Sequence, residues 1–117
     1  MTTPSFFGSI TQRAGAVVLA FTGELDLATA PDARTIATRA HDEAAAAHRR
    51  LVIDLRAVTF LASVGLELLA DHRSRATETG VAIALVATTR AVTRVLDLTG
   101  LSAQFTTYAD IEPAVAG

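Results

Sequence analysis

In the stretch LVIDLRAVTFLASVGLELLADH, residues 51–72, the hydroxyl of Ser63 stands with no charged residue between Arg56 and Glu67. It falls where a strand-like apolar block gives way to a helix-like amphipathic one. The plainest role for such a serine is a helix cap, which contributes about 1 kcal/mol. A hydrolase nucleophile requires the elbow G-x-S-x-G, and Leu61-Ala62-Ser63-Val64-Gly65 has leucine in place of the first glycine. Its base would be His41, His48 or His72. His72 trails Ser63 by nine residues in the same helix, more than two turns away. His41 and His48 lie in the polar segment RAHDEAAAAHRR, where a solvated surface is expected, and their spacing is too long for one metal ion. The remaining chemistry is phosphate acceptance. A phosphoryl group adds about −1.5 to −2 charge at pH 7, and a helix N-terminus is a favourable place for it. Such a switch needs no catalytic residue of its own.

Other reactive groups are scarce. Asp54, near the end of an apolar run, invites comparison with phosphorylated receiver aspartates, but that chemistry needs a later lysine, and all ten basic residues are arginine. The lack of lysine also excludes a Schiff-base enzyme, a Walker-A loop and a Ser-Lys hydrolase. Cysteine is absent, which removes disulfides, thiolate nucleophiles and iron-sulfur ligation. No cofactor is expected. The net charge of −2, with acids and arginines interspersed, offers no basic stripe for nucleic acid. No run of about 18 apolar residues fits a membrane span, and MTTPSFFGSITQRAG lacks the layout of a signal peptide, so a cytoplasmic, soluble protein is expected.

The elements that must position Ser63 follow from periodicity. Residues 6–12 and 16–22 read as strands joined by the turn RAG, an antiparallel hairpin. Thr29 and Asp32 have capping-box spacing and Pro31 suits a first turn, so a helix is expected over about 30–48. LVIDL, 51–55, reads as a strand buried on both faces. The segment 63–79 is helical, with Leu66, Leu69, Ala70, Arg73 and Ala76 on one face and Gly80 as its C-cap. A strand over 81–87, a helix in TRAVTRVLDLTGL, a strand in AQFTTY and a short helix in DIEPAVAG complete the chain. The order β-β-α-β-α-β-α-β-α implies a mainly parallel sheet, with chemistry gathered at the carboxyl ends of its strands.

FTGELDLATAPDA, LVIDLRAVTFLASVGLELL and TRAVTRVLDLTGL, spread over about residues 16–101, resemble the STAS domain of the anti-sigma-factor antagonists, or anti-anti-sigma factors. The shared features are the Gly-Glu-Leu-Asp turn, a strand ending in Asp-Leu, a Ser-x-Gly-Leu turn into a helix and a late Leu-x-x-Thr/Ser-Gly-Leu. The resemblance implies a single α/β domain over residues 1–117, with a mixed, mainly parallel sheet of about five strands, about four helices and an N-terminal antiparallel hairpin. It implies a non-enzymatic partner switch. The unphosphorylated antagonist binds an anti-sigma factor, usually a GHKL-type serine kinase, and frees a sigma factor; phosphorylation of the serine matching Ser63 ends this, and a serine phosphatase restores it. The turn aspartate associated with partner binding matches Asp26. Glu24, Thr29, Val64 and Leu68 are placed on or near the same surface, where Val64 and Leu68 either offer apolar contact or pack under a loop. Ala62 departs from the pattern, since family members commonly carry aspartate before the serine. The alternative is a STAS-like module that is not phosphorylated and binds a small ligand or nucleotide, or scaffolds a signalling assembly.

Overall fold

A computed structural model describes residues 6–117. Along the chain these form β1 (Phe6–Arg13), β2 (Ala16–Leu25), α1 (Ala30–Ala47), β3 (Arg50–Leu61), α2 (Ser63–Thr79), β4 (Ile83–Val86), α3 (Arg90–Leu98), a 3-10 turn (Leu101–Gln104), β5 (Thr106–Tyr108) and α4 (Ile111–Ala116). The strands make one sheet in the order β1-β2-β3-β4-β5. β1 and β2 are antiparallel about a turn in which Gly15 takes φ 79°, and every later pairing is parallel. Among the described residues no helix is long and apolar enough to cross a membrane.

Alternation along the central strands divides the core. Val17, Leu19 and Phe21 of β2, Leu51, Ile53 and Leu55 of β3 and Leu85 of β4 pack on the face that carries α1, α2 and α3. Ala16, Val18, Val52 and Val86 face the opposite side, where Ala114 of the short α4 covers them. Each fully buried Leu or Phe contributes about 1.5–3 kcal/mol. α1 meets the sheet through Ala33, Ala37, Ala40 and Ala44, all fully buried, whose small side chains let the helix approach closely.

Several expectations are corrected. β3 does not stop at Leu55 but runs to Leu61, and β2 runs on to Leu25. Register shifts between Ala20 and Thr22 and between Gly23 and Glu24 absorb extra residues on β3, so pairing continues after the regular alternation has broken. β4 and β5 are shorter than expected, because Val81 completes the end of α2 through its N–H to Ala76 C=O and residues 101–104 form the 3-10 turn. The buried stripe of α2 is Gly65, Leu68, Leu69, His72 and Ala76, one step round from the expected face; Leu66 and Ala70 only flank the core. Phe60, near the end of β3, is 52% exposed although large and apolar. Thr29 precedes α1 without capping it through its side chain, so the capping box with Asp32 does not form.

The histidines are corrected most sharply. His41, expected on a solvated surface, is fully buried together with His72, whereas His48 is exposed as expected. Nδ1 of His41 lies 3.1 Å from Nδ1 of His72, and His41 Nε2 lies 2.9 Å from Thr79 Oγ1. Thr79 donates its hydroxyl proton to Arg75 C=O at 2.8 Å. His41 therefore donates Nε2–H to Thr79 and accepts the Nδ1–H of His72, a neutral chain that joins α1 to α2.

Candidate functional site

The loop after β2 is built around Asp26. Its Oδ1 accepts the N–H groups of Ala28 at 3.0 Å and Thr29 at 3.1 Å, and its C=O accepts Ala30 N–H at 2.9 Å, which starts α1. Thr29 Oγ1 donates to Glu24 C=O at 2.7 Å and accepts Asp26 N–H at 3.0 Å. These bonds fold residues 26–29 into a tight turn, and Leu27 at its tip is 82% exposed.

The loop after β3 is a single residue. Ala62 is the N-cap of α2 and Ser63 the first helical residue, with its side chain in solvent. Alanine supplies no acceptor, so the first N–H groups of α2 have no side-chain cap and the positive end of the helix dipole is open. Ala62 N–H donates to Leu25 C=O at 2.9 Å and so ties this loop to the turn after β2. Gly65 allows the approach: a Cβ there would stand 2.6 Å from Leu61 Cδ1 and 3.1 Å from Leu25 Cβ.

The two loops enclose an open depression of about 510 Å³, lined by Asp26, Leu27, Ala28, Ala62, Ser63, Val64 and Glu67. Its ionisable groups, Asp26 and Glu67, are both acids. Glu67 reaches Arg34 of α1 only at 4.0 Å, while Arg34 lies 3.2 Å from Asp71; both pairs are solvent-exposed and each contributes about 0–1 kcal/mol. Leu27, Val64 and the two alanines make the rest of the lining apolar.

Of the residues expected to act together, the structure brings Asp26, Ser63 and Val64 into one depression. Glu24 is exposed opposite Phe60, two residues before Asp26 and outside the lining. Thr29 is 7% exposed and lies beneath the turn instead of on its surface. Leu68 is 1% exposed and belongs to the core, because its position on α2 faces the sheet; it offers no contact to a partner. Sequence reasoning missed Leu27, Ala28 and Glu67. Glu67 was recoverable, being one helical turn from Ser63; Leu27 sits in a turn, where no periodicity marks it. Among the described residues no three His, Asp or Glu side chains converge to hold a metal ion.

The STAS domain family model matches residues 9–114. The chain belongs to the STAS family. An anti-sigma factor antagonist from Mycobacterium paratuberculosis is 32% identical to this STAS chain, covering 99% of it and 97% of its own length, with a TM-score of 0.82. Two more distant structures share the fold. SpoIIAA, an anti-sigma factor antagonist in its unphosphorylated form, has a TM-score of 0.69 at 16% identity, covering 89% of this chain and 90% of its own. A serine-to-glutamate variant of RsbS from Moorella thermoacetica has a TM-score of 0.75 at 18% identity, covering 93% and 92%. No curated protein matches the chain at a significant level.

Proposed function

We propose that this STAS domain is an anti-sigma-factor antagonist. In its unphosphorylated state it binds a kinase-type anti-sigma factor of the GHKL class and so releases a sigma factor. Phosphorylation of Ser63 by that kinase ends the binding, and a serine phosphatase restores it. The reading places the protein in the cytoplasm, where transcription is controlled, and gives it no catalytic role. The observation that carries it is the exposed hydroxyl of Ser63 at the uncapped start of α2, in the same depression as Asp26 and the protruding Leu27. The likeness to the Mycobacterium paratuberculosis antagonist over nearly the whole chain supports it.

The geometry explains how one group could switch the surface. Leu27 and Val64 supply apolar contact, and Asp26 with Glu67 suits a basic patch on the partner. A phosphate on Ser63 enters the depression and adds negative charge beside two carboxylates. The open helix terminus tolerates that charge, so the domain stays folded while the partner is lost.

The test is binding to the kinase-type anti-sigma factor together with transfer of labelled phosphate from ATP. Ser63→Asp is expected to weaken binding about 100-fold and Ser63→Ala to leave it within about threefold. Equal affinity of the two variants removes the switch. Leu27→Ser is expected to weaken binding about tenfold, with stability unchanged to within about 0.5 kcal/mol. Binding without label on Ser63 would make the chain a constitutive partner-binding module.

A further inference from the structure

The hydroxyl of Thr29 is placed where a surface contact has no use for it. The residue is 7% exposed, and its Oγ1 bonds the two peptide groups that flank Leu25: it donates to Glu24 C=O at 2.7 Å and accepts Asp26 N–H at 3.0 Å. The Leu25 C=O belongs to the same peptide group as the Asp26 N–H and receives the N–H of Ala62 at 2.9 Å, and Ala62 is the residue before Ser63. We infer that Thr29 is a positioning residue for Ser63, acting through Leu25 and Ala62 on the height and direction at which the serine is presented beside Asp26.

The hydroxyl has one proton and directs it along the shortest of its contacts, to Glu24 C=O. Its lone pair is then free for the Asp26 amide. The longer approaches of Thr29 Oγ1 to Asp26 Oδ1 at 3.3 Å and to Asp26 C=O at 3.4 Å carry no proton. One side chain thus serves as donor and acceptor at once, which valine, of the same shape, cannot do and serine can. Losing it leaves a carbonyl and an amide on either side of Leu25 without their partner, in a part-buried place where such groups are costly to strand. The peptide planes about Leu25 then turn to find water, and the Leu25 carbonyl turns with them. The pairing of Leu61 with Leu25 that ends the β2–β3 ladder and the packing of Gly65 on Leu25 keep Ala62 near β2, and the Ala62–Leu25 hydrogen bond sets its position beyond that last pair.

The consequence for transfer rests on Ser63 being the phosphate acceptor. A serine misplaced by about an ångström reacts up to about 100-fold more slowly although the apolar contacts that bind the partner are still present. The effect therefore falls on kcat for phosphorylation and spares KM.

The experiment compares the full chain with Thr29→Val and Thr29→Ser by amide hydrogen exchange and by transfer of labelled phosphate from ATP with the kinase used above. In Thr29→Val the Ala62 amide is expected to exchange about tenfold faster while the amides of Ile53 and Leu69 keep their protection, and Thr29→Ser is expected to restore it. The kcat of transfer is expected to fall at least about tenfold in Thr29→Val with KM within about threefold, and to recover in Thr29→Ser. Unchanged protection at Ala62, an equal loss at Ala62, Ile53 and Leu69, or no recovery in the serine variant overturns the inference. A wild-type chain that takes no label refutes Ser63 as acceptor instead, and the exchange measurements still decide the role of Thr29.

Discussion

The imidazoles of His41 and His72 meet Nδ1 to Nδ1 at 3.1 Å across the α1–α2 contact, with neither ring open to solvent. Burial, then the positive charge of Arg75, lowers the pKa of His41 below its ordinary 6.5, with Asp42 opposing. Burial, then His41 and Arg75, lowers that of His72 to about 4, with Asp71 opposing and Arg34 adding to the fall. The folded state takes up these protons less readily than the unfolded chain. Stability is therefore complete above pH 6.5 and is lost as the pH falls through 6.5 towards about 4. Replacing both rings with leucine removes the pair and its proton linkage together. The stability of wild type relative to His41→Leu/His72→Leu, measured by urea unfolding, is expected to hold level from pH 7.5 to near pH 6.5 and to decline from there to pH 4.5. A constant difference would show that the pair does not govern acid stability.

Gly65 presents two opposing effects. Alanine in a helix is favoured over glycine by about 1 kcal/mol. The added Cβ, however, meets Leu61 Cδ1 at 2.6 Å and Leu25 Cβ at 3.1 Å, and both leucines are packed in the core. Overpacking of this kind costs about 1–3 kcal/mol, so the clash wins. Gly65→Ala is expected to lower the unfolding free energy by about 1 kcal/mol and to shift the backbone resonances of Leu25 and Ala62. A stabilised variant would mean that α2 shifts freely away from β2.

His48 ends α1 in the left-handed region, with φ 56°, and its N–H and that of Arg49 close the last turn on Ala45 and Ala44. A side chain with a Cβ is strained there and glycine is not. His48 is also exposed, so little packing is lost with its ring. His48→Gly is expected to raise the unfolding free energy by about 0.5–1 kcal/mol, read from the urea midpoint at constant m-value.

Much of the fold was legible because its signals are local. The run Leu51–Leu55, the hairpin turn at Gly15 and the C-cap at Gly80 each depend on neighbours in sequence, and they stand where periodicity and turn chemistry put them. Illegible features depended on partners far along the chain. His41 counts as polar in any periodic scan, and only the imidazole of His72 and the hydroxyl of Thr79 make its burial tolerable. The buried stripe of α2 was read one step round because it begins with Gly65, which has no side chain, and includes His72. Leu68 was misplaced for that reason. At the site, the join between β3 and α2 was visible in the residues around Ser63. Its neighbourhood was not, since the Asp26 turn is brought beside it by the pairing of β2 with β3 out to Leu25 and Leu61 and by the Ala62–Leu25 hydrogen bond, which join residues far apart in sequence.

Ala62 occupies a position made for a capping side chain. Its φ of −82° and ψ of 172° are those of an N-cap, and no side chain satisfies the helix end. Ala62→Asp places a carboxylate where the first N–H groups of α2 can donate to it, a change worth about 0.5–2 kcal/mol. The same carboxylate enters a depression that already holds Asp26 and Glu67, and that repulsion offsets part of the gain. Salt screens charges at the surface more strongly than it weakens a close hydrogen bond. The stabilisation by Ala62→Asp is therefore expected to be about 0.5 kcal/mol at low ionic strength and to rise when salt is added. Ala62→Ser caps without charge, and its gain is expected to be independent of salt. Matching salt responses in the two variants, compared by urea unfolding, would show that the carboxylates of the depression do not act on this end of the helix.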